Sequence, residues 1–415
     1  MRRITALIGS SIASVSMPWL NIFGNTSSSV KSVSDKVRLG IIGIGDRGKV
    51  LLLSLKEYVE LLNIEIAAIC DDYEPHLKHG LQLTQGNAKG FNDYRKMIQM
   101  KNLDGVIIAT PLNEHAKMTI DSLNNGLHVF CEKAMARNID DVKGMYDTHI
   151  KTKKILQIGL QRMFNPVYLE GIQKIYKGEI GQITQIRAYW HRNNNWRRPL
   201  PNNDPTFEKR VNWRLYDDVS AGLLTELASH QIQVANWVLN TEPISVLGNG
   251  SINYWKDGRN VYDNVACIFS YPNGVQFIYD SVISNKHYGL EEQILGSNGT
   301  IEFEVNKIYS ETPPAPPAIL QLINDIEKGI FNTFPIGGAS WVPETATQYK
   351  GELISNNYKM DETKLQLEAF IKYIREGKAP EILTKHGYCA SLWCLLAERA
   401  IKTNQVVNLS DDYKI

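Results

Sequence analysis

The chain has 415 residues, which is too long for one ordinary domain and suits two. Hydrophobic residues make up 43% of it and charged residues 21%, the balance of a folded globular protein rather than a disordered one. The 45 Lys and Arg residues nearly equal the 44 Asp and Glu residues, which leaves a formal net charge of +1. Because nucleic-acid-binding proteins usually carry a clustered basic surplus, this balance argues against nucleic acid and favours a small-molecule partner.

Residues 1–35 are predicted to be a targeting segment and linker. Arg2 and Arg3 form a positive start, an apolar run interrupted by serines covers 4–20, and a polar stretch covers 26–36. The arginine pair is similar to that of a twin-arginine signal, so we expect export to the periplasm. The alternative is a disordered tail on a cytoplasmic protein. The apolar run is too short and too rich in serine for an anchor, so no membrane span is expected in the mature protein.

Strand and helix alternate along the first part of the chain at the spacing of βαβ units. Strands are predicted at 37–45, 64–70, 104–109, 126–131 and 155–159. Helices are predicted at 49–62, 72–85, 94–100, 113–124 and 139–153. This alternation predicts a doubly wound, mostly parallel sheet with helices on both faces, in a domain at 36–160.

The rest of the chain, 161–415, has a different texture. Helices are predicted at 167–176, 220–239, 363–376 and 386–403, with strands at 182–191, 246–255, 264–271, 275–284, 291–295 and 301–305. A polar loop covers 192–218, and a proline-rich surface excursion covers 310–357. Successive strands of this kind predict a second α/β domain with a large open, mostly antiparallel sheet.

A glycine-rich turn follows the first predicted strand and opens a helix. It has the pattern G-x-G-x-x-G, in which the first glycine permits the turn and the second lets the backbone approach a pyrophosphate. The third allows close packing of helix on strand, and the helix N-terminus stabilises negative charge. We therefore assign the turn to cofactor binding: Gly43, Gly45, Asp46, Arg47 and Gly48. A purely structural glycine turn is the alternative.

Three further strand ends carry residues expected at the cofactor. Asp71 ends the second strand, where a carboxylate accepts hydrogen bonds from the adenosine ribose and repels a 2′-phosphate, so NAD is favoured over NADP. Thr110 and Pro111 end the next long strand, and Glu132 and Lys133 the one after. Because a doubly wound sheet binds ligands at the carboxyl ends of its strands, these residues are expected beside the nicotinamide.

The chain resembles the glucose–fructose oxidoreductase / inositol dehydrogenase (Gfo/Idh/MocA) family over residues 37–239. The resemblance rests on an ordered set of motifs: GIIGIGDRG, IAAICD, FNDYRKMI, VIIATPLNEHAKM, GLHVFCEKA, IGLQRMFNP and GLLTELASHQIQVANWVL. It implies an N-terminal Rossmann domain, then an α/β domain whose open sheet often makes oligomer contacts, and hence a homodimer or homotetramer. It also implies hydride transfer between a polyol or sugar carbon and NAD(P).

Residue roles follow from the resemblance by position. It assigns to the cofactor Thr110, Pro111, Asn113, His115, Glu132, Lys133 and Gln161, and to the substrate Arg162. Lys133 matches the lysine of the family's Glu-Lys-Pro motif, which contacts the substrate hydroxyl and the cofactor. Ala134 stands where the family usually has proline, so the backbone turn that presents Lys133 is expected to differ from that of the family.

A second motif supplies the expected proton acceptor. The family carries Asp-x-x-x-His on a helix, and here Glu226 and His230 occupy the pattern, a spacing that puts both side chains on one helical face. His230 is expected to remove the hydroxyl proton, because its unperturbed pKa lies near neutrality. Lys133 would stabilise the developing alkoxide, and Glu226 would orient the imidazole or hold a neighbouring hydroxyl. A purely structural histidine is the alternative.

The polar loop at 192–218 is predicted to shape a sugar pocket. Trp196 and Trp213 are candidates to stack on a pyranose face, and Asn194, Arg197 and Arg214 to bind hydroxyls or a carboxylate. The alternative is a solvated loop whose tryptophans pack against its own base. Tyr288 is a weaker candidate.

The five cysteines form no C-x-x-C pair, so no metal site is predicted, and a disulfide between Cys389 and Cys394 is disfavoured by their helical spacing. Together the observations predict an NAD-dependent oxidoreductase of a sugar or glycoside hydroxyl carbon, with C3 as the expected position. Two alternatives stay open. One is a glycosidase that uses tightly bound NAD as an internal redox cofactor, and the other is a non-catalytic NAD-binding sensor.

Overall fold

A computed structural model describes residues 35–311 and 350–415 of the chain. The predicted targeting segment, except for its last residue, and most of the predicted surface excursion at 310–357 lie outside these described residues. Within the described part, no helix combines the length and the apolar character needed to cross a membrane.

The first sheet has six parallel strands and confirms the predicted doubly wound architecture. The strands are β1 (Val37–Ile42), β2 (Ile64–Cys70), β3 (Lys89–Phe91), β4 (Gly105–Ile108), β5 (His128–Cys131) and β6 (Leu156–Ile158), in the order β3-β2-β1-β4-β5-β6. The helices that connect them are α1 (Asp46–Tyr58), α2 (Glu74–Leu83), α3 (Tyr94–Ile98), α4 (His115–Asn124) and α5 (Ile139–Thr152). The strand order reverses between β1 and β4, which opens a crevice at their carboxyl ends.

The second sheet has nine strands and is open, as predicted. They are β7 (Ile183–His191), β8 (Ser245–Ser251), β9 (Asn264–Ser270), β10 (Gln276–Val282), β11 (Leu290–Gly296), β12 (Gly299–Glu302), β13 (Lys307–Ser310), β14 (Glu352–Leu353) and β15 (Val407–Asn408). Their order is β14-β13-β12-β11-β7-β10-β9-β8-β15. Only β7 and β10 pair in parallel among these described strands, so the sheet is mostly antiparallel.

Five further α-helices lie in the described part of the second domain: α6 (Pro166–Tyr176), α7 (Glu208–Val211), α8 (Ser229–Leu239), α9 (Glu362–Glu376) and α10 (Glu381–Thr403). Helices α8 and α10 pack together on one face of the second sheet. All five cysteines are buried and free, so Cys389 and Cys394 form no disulfide.

The C-terminal helices tie the two sheets together. Helix α9 packs on the first sheet, although the sequence placed it in the second domain: the ring of Phe370 lies 5.9 Å from that of Phe130 in β5. The side chain of Gln157 in β6 donates a hydrogen bond to the α9 backbone at 2.9 Å. Thr384 in α10 donates another to the Leu156 carbonyl at 2.6 Å. These contacts fix the crevice of the first sheet against the second domain.

Candidate functional site

A cavity of about 1620 Å³ opens at the carboxyl ends of the parallel strands, with walls from both domains. An ordinary small-molecule pocket has about 300 to 1,000 Å³, so this one has room for a dinucleotide and a second ligand. Most of the residues predicted for the site line it: Gly43, Gly45, Asp46, Arg47, Asp71, Thr110, Pro111, Asn113, His115, Glu132, Lys133, Gln161, Asn194, Trp196, Arg197, Trp213, Arg214, Glu226 and His230.

The glycine turn between β1 and α1 fits a dinucleotide pyrophosphate. Gly43 has a φ of +89°, and a Cβ there would lie 2.7 Å from the Ala109 carbonyl oxygen. A Cβ on Gly48 would lie 1.9 Å from the oxygen of Gly43, so both positions need glycine for close packing. A Cβ on Gly45 would meet nothing within 4 Å, because this residue faces open space at the start of α1. No side chain caps the helix there, so its first N–H groups are available to an anion.

Asp71 follows β2 and is held as a carboxylate against the same turn. It is 8% exposed. Its oxygens accept the backbone N–H groups of Ile44 at 2.7 Å and of Tyr73 at 2.8 Å. Burial alone would raise its pKa, but hydrogen bonds from His76, Ile44 and Tyr73 keep the pKa below the usual value. A carboxylate has about four lone-pair sites, so acceptor capacity is left for ribose hydroxyls, and the negative charge disfavours a 2′-phosphate.

Arg47 and Glu132 form an ion pair across the crevice. The Arg47 Nε lies 2.7 Å from a Glu132 carboxylate oxygen, which joins the start of α1 to the end of β5. The Glu132 carboxyl group packs against Gly159, just after β6, where a Cβ would lie 2.9 Å from it. Both residues line the cavity, and each orients the other.

His115 links the two turns that follow β4 and β5. One ring nitrogen lies 2.9 Å from the Ala134 carbonyl oxygen and the other 3.0 Å from that of Thr110. Burial lowers the pKa of His115. The imidazole was predicted to line the nicotinamide-ribose side. It does border the cavity, but both nitrogens are engaged with backbone, so it supports the turn that carries Lys133. The peptide bond between Lys133 and Ala134 is cis.

A wide helical turn brings Lys133 to the second domain. The predicted helix at 220–239 begins with a π-helical turn, Leu224–Ala228, in which the Ser229 N–H reaches back to the Leu224 carbonyl. Such i→i+5 turns often mark functional sites. The Glu226 carbonyl oxygen accepts a hydrogen bond from Lys133 Nζ at 2.8 Å, and the Glu226 carboxylate lies 3.9 Å from the same nitrogen.

Glu226 is buried among hydrogen-bond donors. Its carboxylate accepts bonds from Arg214 Nε at 2.9 Å and from the Ser220 hydroxyl at 3.2 Å. Burial opposes ionisation, but Lys133, Arg214 and Ser220 lower the pKa of Glu226 below its ordinary value. The carboxylate therefore bonds Arg214 and Ser220 rather than the imidazole of His230, which it was predicted to orient.

His230 lies in α8, just after the wide turn, with its ring centroid 5.7 Å from that of Trp190. Its pKa is well below the usual value. Burial is the main cause, and four basic residues add to it: Arg162, Lys133, Arg47 and Arg192. The imidazole is therefore neutral near pH 7. Neither ring nitrogen has a hydrogen-bond partner among the described residues, so the ring is free to accept a proton from a ligand.

Arg162 was predicted to bind substrate, but it does not line the cavity. Its guanidinium is buried and lies 3.0 Å from Glu292 and 3.0 Å from Glu304. It packs over the rings of Tyr168 and Trp190. These partners and the Trp190 ring hold Arg162 outside the cavity lining, where it supports the wall.

The polar loop at 192–218 crosses the cavity from the second domain to the first. Arg210 pairs with Asp72 and lies over the Tyr73 ring. Arg198 pairs with Asp46 at 2.5 Å. The loop thus contacts the adenosine and pyrophosphate ends of the crevice.

Within this loop, the candidate sugar-binding residues differ in their freedom. Arg197 borders the cavity, but its guanidinium pairs with Glu208 and Asp257 and therefore stabilises the loop. Arg214 lies 4.1 Å above the Trp213 ring. Trp196 is half-buried and borders the cavity. Tyr288 is exposed and lies outside the cavity lining, against His191 and Tyr189.

Sequence reasoning missed several residues of the lining. Trp190 and Arg192 stand at the end of β7, and Asp72 and Tyr73 follow β2. For Asp72 and Tyr73 the available signal was their position after β2, since the ligand-binding edge of the first sheet was already predicted. Among residues 35–311 and 350–415, no group of three or more His, Cys, Asp and Glu side chains is placed to hold a metal ion.

The fold and the cavity define a two-domain, dinucleotide-binding oxidoreductase. The sequence model of the oxidoreductase family with an NAD-binding Rossmann fold, Gfo/Idh/MocA, matches residues 37–160. The model of that family's C-terminal domain matches residues 169–302. The chain belongs to the Gfo/Idh/MocA family, which confirms the resemblance stated above and makes it an NAD-dependent enzyme rather than a non-catalytic sensor.

Individual relatives are distant. Myo-inositol 2-dehydrogenase of Thermotoga maritima is 22% identical over 381 residues, which cover 90% of this chain and 99% of the relative. A glycosyl hydrolase family 109 protein of Stenotrophomonas maltophilia is 29% identical over 167 residues, 38% of this chain and 36% of the relative. The structure of levoglucosan dehydrogenase with NADH and levoglucosan superposes with a TM-score of 0.70 at 18% identity, covering 91% of this chain and 100% of that one. This last likeness shows the shared fold.

Proposed function

We propose that this protein is an NAD-dependent dehydrogenase of a sugar or glycoside, with the C3 hydroxyl as the reacting group. One observation carries the proposal: Lys133 from the first domain and His230 from the second line one cavity, beside a turn that fits a dinucleotide. Dehydrogenases of inositol and levoglucosan among the similar proteins support a polyhydroxylated substrate. When bound, NAD supplies the acceptor for the two electrons and the hydrogen that leave the reacting carbon.

His230 is the proton acceptor in this proposal. Oxidation of a secondary alcohol to a ketone releases the hydroxyl proton, and a neutral imidazole accepts it. Burial and the neighbouring cations keep the pKa of His230 well below the usual value, so the ring is unprotonated at neutral pH. It has no protein hydrogen bond among the described residues to compete with the substrate hydroxyl.

Lys133 stabilises the alkoxide that develops as the proton leaves. Its side chain is 15% exposed and is oriented by the carbonyl and carboxylate of Glu226. A fixed, partly desolvated cation acts strongly on a developing negative charge because it needs no reorganisation during the reaction. Glu226 acts as a positioning residue, since its carboxylate holds Lys133 on one side and Arg214 on the other.

The test is a panel of free sugars, inositols and glycosides incubated with the protein and NAD, with NADH followed by absorbance. We expect NADH to form with at least one polyhydroxylated substrate, and a keto product, placed by mass spectrometry and NMR, at C3. A product oxidised at another carbon rejects the C3 assignment alone. Tight NAD binding without NADH formation on every substrate contradicts the dehydrogenase proposal.

A redox-assisted glycosidase is the second candidate, favoured by the similarity to a glycosyl hydrolase family 109 protein. In that reaction the sugar is oxidised, the glycosidic bond is cleaved and the product is reduced again. The same assay separates the two functions. Aglycone release without net NADH supports the glycosidase, whereas NADH in proportion to oxidised sugar supports the dehydrogenase.

We further propose that the open face of the second sheet joins copies of the chain into a dimer or tetramer. Leu247, Ile268 and Ile278 stand side by side on adjacent strands of that face. Leu247 is 47% exposed, and a row of apolar side chains on an open sheet is typical of an interface.

Export through residues 1–35 is part of the same proposal, supported by the Arg2-Arg3 pair and the apolar run after it. Cell fractionation and N-terminal sequencing of the mature protein test it. A cytoplasmic protein that keeps its first residues contradicts export.

A further inference from the structure

Among the described lysine and arginine residues that line the cavity, one has no acidic partner. The others each form an ion pair: Arg47 with Glu132, Arg95 with Asp93, Lys133 and Arg214 with Glu226, Arg197 with Glu208, Arg198 with Asp46, Lys209 with Asp218, and Arg210 with Asp72. Arg192 lines the same cavity and has no carboxylate partner among the described residues.

Arg192 is held at the substrate end of the cavity. Its backbone N–H donates to the Val282 carbonyl at 2.8 Å, which fixes it at the end of β7. Its guanidinium lies 4.9 Å from the centre of the Trp190 ring, and the same ring contacts the imidazole of His230. A guanidinium stacked on an indole keeps its edge, with the N–H donors, directed away from the ring. Trp190 therefore contacts both Arg192 and the candidate proton acceptor His230.

The surroundings of His230 are positive. The charges of Arg47, Lys133, Arg162 and Arg192 all lower the pKa of the imidazole. Desolvation by the surrounding protein also lowers the pKa of Arg192, and no carboxylate offsets it. Each of the first three cations lies within 4 Å of a carboxylate, whereas Arg192 has no carboxylate partner among the described residues. A cleft with surplus charge of one sign concentrates ligands of the other.

We propose that the substrate carries an anionic substituent, a carboxylate or a phosphate, which Arg192 binds while the reacting hydroxyl faces Lys133 and His230. This inference rests on the proposed function and narrows its substrate class from sugars in general to acidic sugars. Arginine is suited to the task because its planar fork donates two parallel hydrogen bonds to a carboxylate or a phosphate. A neutral sugar would leave the guanidinium without an anion.

The test compares hexuronates, hexose phosphates and the matching neutral sugars as substrates, with NAD, for wild type, Arg192→Gln, Arg192→Lys and the control Lys209→Gln. Wild type is expected to show a higher kcat/KM for one anionic class than for neutral sugars, and which class it is distinguishes carboxylate from phosphate. Arg192→Gln should lower the ratio of anionic to neutral kcat/KM by about 10- to 50-fold, mainly through KM, since it removes a charge-assisted hydrogen bond. Arg192→Lys should restore part of this ratio.

Lys209→Gln removes a cation from the rim of the same cavity and should leave the ratio unchanged. Two results would overturn the inference while the dehydrogenase stands. One is a wild type that prefers neutral sugars, and the other is an Arg192→Gln variant that lowers anionic and neutral rates by the same factor. If no sugar of any charge yields NADH, the proposed function itself is wrong and the inference is lost with it.

Discussion

Replacement of Lys133 by methionine tests the proposed chemistry most directly. Methionine keeps most of the side-chain volume and removes the ammonium group that bonds the Glu226 carbonyl at 2.8 Å. Glu226 keeps its bonds to Arg214 and Ser220, so the substitution leaves that carboxylate paired. The glycine turn and Asp71 are not touched by the change, and we expect the affinity for NAD to be retained.

The expected losses differ for activity and stability. Removal of one donor to a developing oxyanion costs about 10²- to 10³-fold in kcat. The buried Glu226 carbonyl also loses its ammonium partner, which lowers the free energy of unfolding by about 1 to 3 kcal/mol. Lys133 helps to lower the pKa of His230, so its removal raises that pKa. Because only neutral His230 accepts the proton, the rate should begin to fall at a higher pH as the solution is acidified.

Steady-state rates across a pH series, NAD affinity by calorimetry and a primary isotope effect with substrate deuterated at the reacting carbon measure these effects. A larger isotope effect in Lys133→Met is expected if the chemical step has slowed. A kcat within about threefold of wild type, with the acid limb of the pH profile unmoved, would refute the role given to Lys133.

Three further predictions concern the cofactor and the assembly. Asp71→Asn keeps an acceptor for the Ile44 N–H but removes the negative charge. It should therefore weaken NAD binding and reduce the preference for NAD over NADP. Calorimetry with both cofactors measures the two affinities, and an unchanged preference contradicts the assignment of Asp71 to the adenosine ribose. Arg210→Ala breaks the ion pair with Asp72 across the crevice. Because an exposed ion pair contributes little free energy, NADH release should become about two- to fivefold faster in stopped-flow fluorescence. An unchanged rate means that the loop does not limit release. Ile268→Lys places a charge in the apolar row of the open sheet and should shift the protein toward monomer in light scattering, whereas an unchanged mass would exclude that face.

Much of the fold was predictable because its signals are local. Strands β1 and β2 are mostly apolar and largely buried, and three glycines mark the turn before α1. The short strand β3 was missed because it has three residues, Lys-Gly-Phe, and none of them is buried. Strand β13 was missed for a similar reason, since all four of its residues are only half-buried and no apolar alternation marks it.

The site was less predictable where its geometry depends on distant partners. The spacing of Glu226 and His230 indicated one regular helical face, but the turn widens at Leu224–Ala228 and the carbonyl of Glu226 bonds Lys133. Arg162 matched a site motif in sequence, yet Glu292 and Glu304 hold it behind the cavity wall. Neither pairing leaves a signal in the neighbouring sequence.

The positive surroundings of His230 connect the charge of the substrate to the proton transfer. A cation near the imidazole weakens it as a base, but the same cation stabilises the alkoxide that the transfer creates. The two effects therefore offset each other in the free energy of the proton transfer. If Arg192 binds an anion, its contribution to the field at His230 is offset, and the pKa of the imidazole rises when an acidic sugar binds. The acid limb of the kcat profile should therefore lie at higher pH for an anionic substrate than for its neutral analogue, and Arg192→Gln should remove most of that difference. Identical acid limbs for the two substrates in wild type would mean that Arg192 and His230 are not coupled through the bound sugar.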